Sequence, residues 1–127
     1  MPTKFASIDI GLKRIGIAIC LQETIVTPCP AIVRKNRNQA SKEVDEFLLQ
    51  WDIDTLIVGY PRSSQDMKKR VEHFITLLDF KGEIKFQNED MSSIEAKELI
   101  KADIKQKRDG RIDSLAAKII LERYLHI

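Results

Sequence analysis

Three carboxylates stand where a folding chain gains little from an acid. Asp9 closes the apolar run from Phe5 to Ile10, directly before Gly11, Lys13 and Arg14. Glu89 closes a later run that begins at Glu83. Asp113 opens the last amphipathic segment, three and four residues ahead of Ala116 and Ala117, small residues that allow close approach to a sheet. Asp is disfavoured inside strands, so an acid at a strand end invites a chemical reading. Three hard oxygen donors drawn from three elements suit Mg²⁺ or Mn²⁺ once they meet at one edge of a sheet. The reaction such a cluster serves is phosphodiester hydrolysis, in which divalent cations activate a water and steady the leaving oxygen. Plainer roles stand beside this one. Asp9 can simply open a turn with Gly11, Glu89 can be a solvated charge, and Asp113 can cap a helix.

The cations point the same way. Lys13 and Arg14 follow Asp9 at once and suit a phosphate. Lys68, Lys69 and Arg70 form a compact run on the exposed side of a predicted helix. Lys107, Arg108 and Arg111 belong to a charge-dense segment from Lys101 to Arg111, expected as a loop. Arg62 lies in Gly59-Tyr60-Pro61-Arg62-Ser63-Ser64, between an apolar strand and a helix N-terminus whose amides can hold a phosphate. An ordinary strand-to-helix turn fits that stretch equally. These nine cations, together with Arg34, Lys35 and Arg37, can track a nucleic-acid backbone. The net charge is only +2, so any such surface is a local patch. Aromatic residues make up 6% of the chain, too few for a base-stacking platform, which favours a duplex or otherwise structured substrate. His73, beside the core face of a helix, and His126, at the C-terminus, are set aside as catalysts.

The elements that must position these groups follow from periodicity. Lys4 to Ile10 alternates as a strand, with Phe5, Ser7 and Asp9 on one face and Ala6, Ile8 and Ile10 on the other. Gly11 to Lys13 turns the chain into a second strand, Arg14 to Cys20, making an antiparallel hairpin. Thr24 to Val33 is a third strand, confined to an edge by Pro28 and Pro30. A helix is expected from about Asn38 to Ser41 onward, with Val44, Phe47, Leu48 and Trp51 on its apolar face. Asp54 to Gly59 is a buried strand. A second helix presents Val71, Phe74, Ile75 and Leu78 and is broken by Lys81-Gly82. Glu83 to Glu89 is a strand, Ser92 or Ser93 caps a helix running to about Ala102, and a last helix runs from about Ile112 to Leu125. A hairpin followed by alternating strands and helices predicts an α/β fold with a mixed sheet covered by helices.

The remaining bounds are simple. The 127 residues fit a single domain spanning 1–127, and 43% hydrophobic with 31% charged residues describes a globular chain. Cys20 and Cys29 lack zinc-ligand spacing and are expected as reduced, partly buried thiols. No apolar run approaches the ~20 residues that span a bilayer, and Met1-Pro2-Thr3-Lys4 does not resemble a signal peptide. The expected location is cytoplasmic, and no membrane partner is expected. With no long apolar stripe outside the core faces, a monomer or weak homodimer is expected.

Four segments, in order, resemble one family. Asp9-Ile10-Gly11-Leu12-Lys13-Arg14-Ile15-Gly16-Ile17-Ala18 is similar to the opening motif of the YqgF (RuvX) family. Val58-Gly59-Tyr60-Pro61 resembles its Val-Gly-x-Pro motif. Glu89 with Met91-Ser92-Ser93-Ile94-Glu95-Ala96 resembles its Asp-Glu-Arg-Leu-Thr-Thr-x-x-Ala segment. Ile112-Asp113-Ser114-Leu115-Ala116-Ala117 resembles its Asp-Ser-x-Ala-Ala motif. The resemblance implies an RNase H-like fold with a five-stranded mixed sheet, antiparallel hairpin strands followed by parallel ones. It also implies a metal-dependent endonuclease that matures precursor 16S ribosomal RNA, with pre-ribosomal particles as partners. An older family reading is Holliday-junction resolution. The family's acids map onto Asp9, Glu89 and Asp113. Asn88 stands where the family has Asp and Asp90 where it has Arg, and the stretch after Pro61 is shortened to Arg62-Ser63-Ser64-Gln65-Asp66-Met67. A nucleic-acid or ribosome-binding module with a weakened site is the non-enzymatic alternative.

Overall fold

The architecture comes from a computed structural model, which describes residues 3–22, 24–61, 64–88 and 114–127. Five strands form one sheet: β1 (Phe5–Ile10), β2 (Arg14–Gln22), β3 (Ile25–Val33), β4 (Thr55–Tyr60) and β5 (Glu83–Asn88). Their spatial order is β3-β2-β1-β4-β5. β1 pairs antiparallel with β2, and β2 antiparallel with β3, whereas β1, β4 and β5 run parallel. The chain therefore has the mixed α/β sheet expected of an RNase H-like fold. Three helices are described: α1 (Arg37–Gln50), α2 (Gln65–Thr76) and α3 (Leu115–Leu125).

Alternation along β1 divides the core. Ala6, Ile8 and Ile10 pack with Val44 and Leu48 of α1 and with Val71 and Phe74 of α2. On the opposite face, Ala18 and Ile57 pack with Ala117, Ile120 and Leu121 of α3. β4 is buried on both faces from Thr55 to Gly59, as its unbroken apolar run requires. Because β1, β4 and β5 are parallel, their C-terminal ends share one edge of the sheet. β2 begins and β3 ends at that same edge, and α1 and α2 start there.

β3 spends one residue more than β2 between the pairs Ile15–Ile32 and Ile17–Cys29. The irregularity spans Pro30, which has no N–H to donate. Ser114 fills the resulting gap. Its fully buried hydroxyl accepts from the Ile17 amide at 3.0 Å and donates to the Cys29 carbonyl. Ser7, also fully buried, donates to the Ala117 carbonyl at 2.6 Å. These two serines pin α3 at successive heights on the sheet. Tyr124 near the far end of α3 then meets Phe5, ring centroids 6.1 Å apart. The N-terminus of α3 consequently points toward the edge where β1 ends.

Several boundaries differ from expectation for physical reasons. α1 starts earlier than Asn38, because Asn36 caps it in a reciprocal box with Gln39. Trp51 falls at its C-cap, 38% exposed and tilted against Phe47, rather than on the buried face. α2 ends at Thr76, ahead of Lys81-Gly82. The Asp45 carboxylate on α1 takes the Asp79 amide at 2.9 and 3.1 Å and draws the chain off the helical path. Burial raises the Asp45 carboxyl above its ordinary range, and the Asp79 amide opposes that shift. Leu78 still packs against the core. Gly82 opens β5 where a Cβ would lie 2.4 Å from the Asp54 carbonyl oxygen. Cys20 and Cys29 are free thiols, Cys20 buried and Cys29 partly so. The helix expected near Ser92 or Ser93 and the loop from Lys101 to Arg111 lie outside the described residues.

Ser114→Ala tests the bridge. It strands a buried donor and a buried acceptor together, at about 1–3 kcal/mol for each unsatisfied group. The expected outcome is an unfolding free energy lowered by ~2–6 kcal/mol, read as a lower urea midpoint with an unchanged m value. A loss under ~0.5 kcal/mol would mean that β2 and β3 close the gap themselves.

Candidate active site at the sheet edge

Asp9 is the last polar residue of β1 and pairs across the hairpin with Gly16. Alternation puts it on the face of Ser7 and Phe5, the α3 side of the sheet. It is partly buried, as expected for a group at the mouth of a surface depression. That depression has a volume of about 440 Å³ and is lined by Asp9, Gly11, Leu12, Lys13, Arg14 and Gly16. The hairpin thus brings together the carboxylate and the two cations singled out in its sequence.

The turn that shapes this depression is tied on two sides. The Gly11 amide donates to the Arg14 carbonyl at 2.9 Å. A Cβ on Gly11 would lie 2.7 Å from that same carbonyl oxygen, so the tight closure needs glycine. Arg34, just past β3, holds the turn from the other side. Its amide donates to the Lys13 carbonyl at 2.8 Å, and its Nη1 donates to the Gly11 carbonyl at 2.6 Å. Its guanidinium sits 5.5 Å from the centroid of the Phe74 ring. Arg34 is the residue that sequence reasoning undervalued: it appeared only as one cation among several. A lone Arg two residues before a helix cap carries no local signal of a long-range clamp.

At the end of β4, Tyr60 builds a small platform. Its hydroxyl donates to Glu72 at 2.6 Å, and Phe86 of β5 meets its ring at 5.3 Å edge-on. The Glu72 hydrogen bond, with some burial and the Glu72 charge, raises the Tyr60 hydroxyl above the ordinary phenol range. Lys68 reaches over the same ring at 5.8 Å. Ser64 caps α2 through the Met67 amide at 3.2 Å. The run Lys68-Lys69-Arg70 is split by helical geometry: Lys68 is half-buried beside Tyr60, Lys69 is exposed, and Arg70 lies near Arg34. His73 is exposed rather than core-facing, with Nε2 3.0 Å from Nη1 of Arg37.

Glu89, Asp113, Arg62, Lys107, Arg108 and Arg111 lie outside the described residues. Glu89 follows Asn88, the end of β5, in sequence, and Asp113 precedes the bridging Ser114. Ser114 occupies the N-cap position of α3 without a side-chain cap bond, since its hydroxyl is committed to the sheet. No cluster of three or more metal-ligating side chains occurs among the described residues.

The family profile described as RuvX, Holliday junction resolvase, matches residues 3–127. The chain belongs to the RuvX family. This RuvX chain is 52% identical over 127 residues to a protein of Sulfurovum sp. (strain NBC37-1) named "Putative pre-16S rRNA nuclease", covering 98% of this chain and 99% of that one. A Helicobacter pylori (strain Shi470) protein of the same name is 56% identical over 122 residues, covering 91% and 90%. Among solved structures, RuvC of T. thermophilus in complex with a Holliday junction substrate superposes with a TM-score of 0.67 at 14% identity, covering 98% of this chain and 96% of that one. The fowlpox virus resolvase bound to junction DNA superposes at 0.56, also at 14% identity, covering 98% and 97%. At such low identity these two structures establish the shared fold alone. No described helix of the RuvX chain is long and apolar enough to cross a membrane.

Gly11→Ala probes the turn. The added Cβ must displace the Arg14 carbonyl, at a cost of about 1–3 kcal/mol. Amide exchange at residue 11 is expected to accelerate at least ~10-fold, with the Asp54 amide unchanged. An unchanged exchange rate at residue 11 would show that the turn absorbs the methyl.

Proposed function

We propose that this chain is a divalent-metal-dependent endonuclease that hydrolyses phosphodiester bonds in precursor 16S ribosomal RNA. The observation that carries the reading is Asp9 in an open depression beside Lys13 and Arg14, on a sheet shared with junction-cleaving nucleases. Relatives about half identical over nearly the whole chain are named for pre-16S rRNA cleavage. Cytoplasmic pre-ribosomal particles are the natural setting for that substrate.

The donor chemistry fits the cation. Asp9 offers a hard carboxylate oxygen, partly buried but open to solvent. Asp9, Glu89 and Asp113 would hold Mg²⁺ or Mn²⁺. Two described features support this set: β5 ends beside β4, at the edge where β1 ends, and Ser114 pins the start of α3 to Ile17, one residue from the partner of Asp9. When bound, a divalent cation supplies an activated water and neutralises charge on the leaving oxygen. Lys13 and Arg14 take the phosphate oxygens, and the tied turn keeps both cations on the same side of Asp9. Arg62, Lys68, Lys69, Arg70, Lys107, Arg108 and Arg111 extend the contact along the backbone, and the monomer suffices for single-strand cutting.

The test is cleavage of precursor 16S RNA with Mg²⁺ or Mn²⁺, comparing the native chain with Asp9→Asn. This substitution is isosteric, removes the charge and turns one acceptor oxygen into an N–H donor. Cleavage is expected to fall at least ~100-fold while RNA binding, measured with chelator, stays within about threefold. A four-way DNA junction runs in parallel. Junction cutting without RNA cutting would reassign the substrate to DNA. Binding without any cutting, with and without pre-ribosomal particles, would make the chain a binding module.

A further inference from the structure

A second depression adjoins the one at Asp9. It has a volume of about 380 Å³ and is lined by Arg34, Lys35, Arg37, Asn36, Asn38 and Leu12. Leu12, 62% exposed, lines both depressions and forms the ridge between them. Arg70 lies one turn of α2 before His73 and Phe74, which meet Arg37 and Arg34, and so borders the same surface.

Nothing in the described structure balances these cations. No carboxylate among the described residues lies within ion-pair distance of Arg34, Lys35, Arg37 or Arg70. Arg37 instead shares a hydrogen bond with the His73 ring, which fixes its direction without neutralising it. Burial, then Arg70, then Arg37, pushes the Arg34 guanidinium below the usual arginine range. The placement also opposes helix electrostatics. The first turn of a helix favours acids, by roughly 0.3–1 kcal/mol each. α1 opens on Arg37, follows Arg34 and Lys35, and has no acid in its first turn. The Asn36–Gln39 box already engages the Asn36 and Gln39 amides, so the side-chain cations carry most of the attraction for an anion. Arg34 has a structural role in the turn, but the described carboxylates offset none of the four charges, and an external polyanion would stabilise the cluster.

We propose that Arg34, Lys35, Arg37 and Arg70 form a second backbone-binding surface, which holds the nucleic-acid strand flanking the scissile bond on the far side of the Leu12 ridge from Asp9. The proposal rests on the nuclease reading above. Planar guanidinium groups suit this task, since each can take two phosphate oxygens at once. The substrate then straddles the sheet edge, with its reacting phosphate on the α3 side and its flank on the α1–α2 side. Arg34 has one Nη1 bond committed to Gly11, so it couples the flank surface to the turn that carries Lys13 and Arg14.

The experiment measures binding of the full chain to an RNA hairpin and to a four-way DNA junction, with chelator, across a salt series. Each lost phosphate contact flattens the log–log salt slope by roughly 0.7–0.9. The double variant Arg37→Gln/Arg70→Gln is expected to bind ~10-fold more weakly near 0.1 M salt, with a slope shallower by about 1.5. Arg37→Lys/Arg70→Lys is expected to recover the slope. Lys81→Gln, an exposed cation beyond α2 at the opposite edge, is expected to change neither quantity. Thermal melts establish that each variant is folded. A folded Gln double variant with native affinity and slope would overturn this surface and leave the nuclease reading intact. Failure of the native chain to bind either nucleic acid would overturn both.

Discussion

The hydroxyl of Ser114 is the contact on which the rest of the arrangement depends. A sheet and a helix packed only through apolar side chains can slide, because burial is not directional. Ser114 removes that freedom by completing a ladder bond that the Pro30 irregularity leaves open between Ile17 and Cys29. Ser7, farther along, fixes a second point at Ala117. Two anchors on one helix set both its height and its rotation. The start of α3 is thereby committed to the end of the sheet that carries Asp9. Small residues at this contact, with Ala117 fully buried, let the helix backbone come close enough for a serine to reach it. The irregularity in β3 is thus part of the design of the edge, not a defect in it.

Among the described residues the same edge gathers cations. Lys13, Arg14, Arg34, Lys35, Arg37 and Lys68 stand at strand ends and helix starts there, with Asp66 in the first turn of α2, whereas at the opposite edge the acids Asp52 and Glu83 are ion-paired with Lys4 and Lys85. A net charge of +2 conceals this local excess. The parallel strands make it possible, because β1, β4 and β5 all deliver their C-terminal residues to one side. A polyanion approaching such a molecule meets a field that orients it before contact. Salt weakens that steering, since exposed charges are screened over about 8–10 Å at physiological ionic strength.

Much of this was legible in the sequence, and the limits have physical causes. Period-two alternation in β1 assigned Ser7 and Asp9 to one face and Ile8 to the other, and the structure keeps both assignments. Pro28 and Pro30 marked β3 as an edge strand, which it is. Asp9 with Lys13 and Arg14 was readable because a hairpin turn is local, and its residues meet whatever the remaining chain does. Contacts distant in sequence were not readable. Ser114 resembled an ordinary helix start, since its partners exist only once β2 and β3 have paired out of step. Arg34 resembled a surface cation until the Gly11 carbonyl and the Phe74 ring came within its reach. α2 stops early because Asp45, on another helix, claims the Asp79 amide. Glu89 and Asp113 were legible as acids at element ends, and they lie outside the described residues.

The described cations of this edge are held at different places around Asp9. Arg34 spends one Nη1 hydrogen bond on the Gly11 carbonyl, and its guanidinium lies over Phe74, on the α2 side of the sheet. Lys68 lies over Tyr60, at the end of β4. Among the described cations, Lys13 and Arg14 line the depression with Asp9, both on the hairpin that the glycine turn closes. Leu12 lines both described depressions, so Lys13 and Arg14 stand with Asp9 on one side of it, and Arg34, Lys35 and Arg37 stand on the other. The tight turn at Gly11, where a Cβ would lie 2.7 Å from the Arg14 carbonyl oxygen, fixes the hairpin side of that division, and Arg34 ties the other side to the same turn through the Gly11 carbonyl.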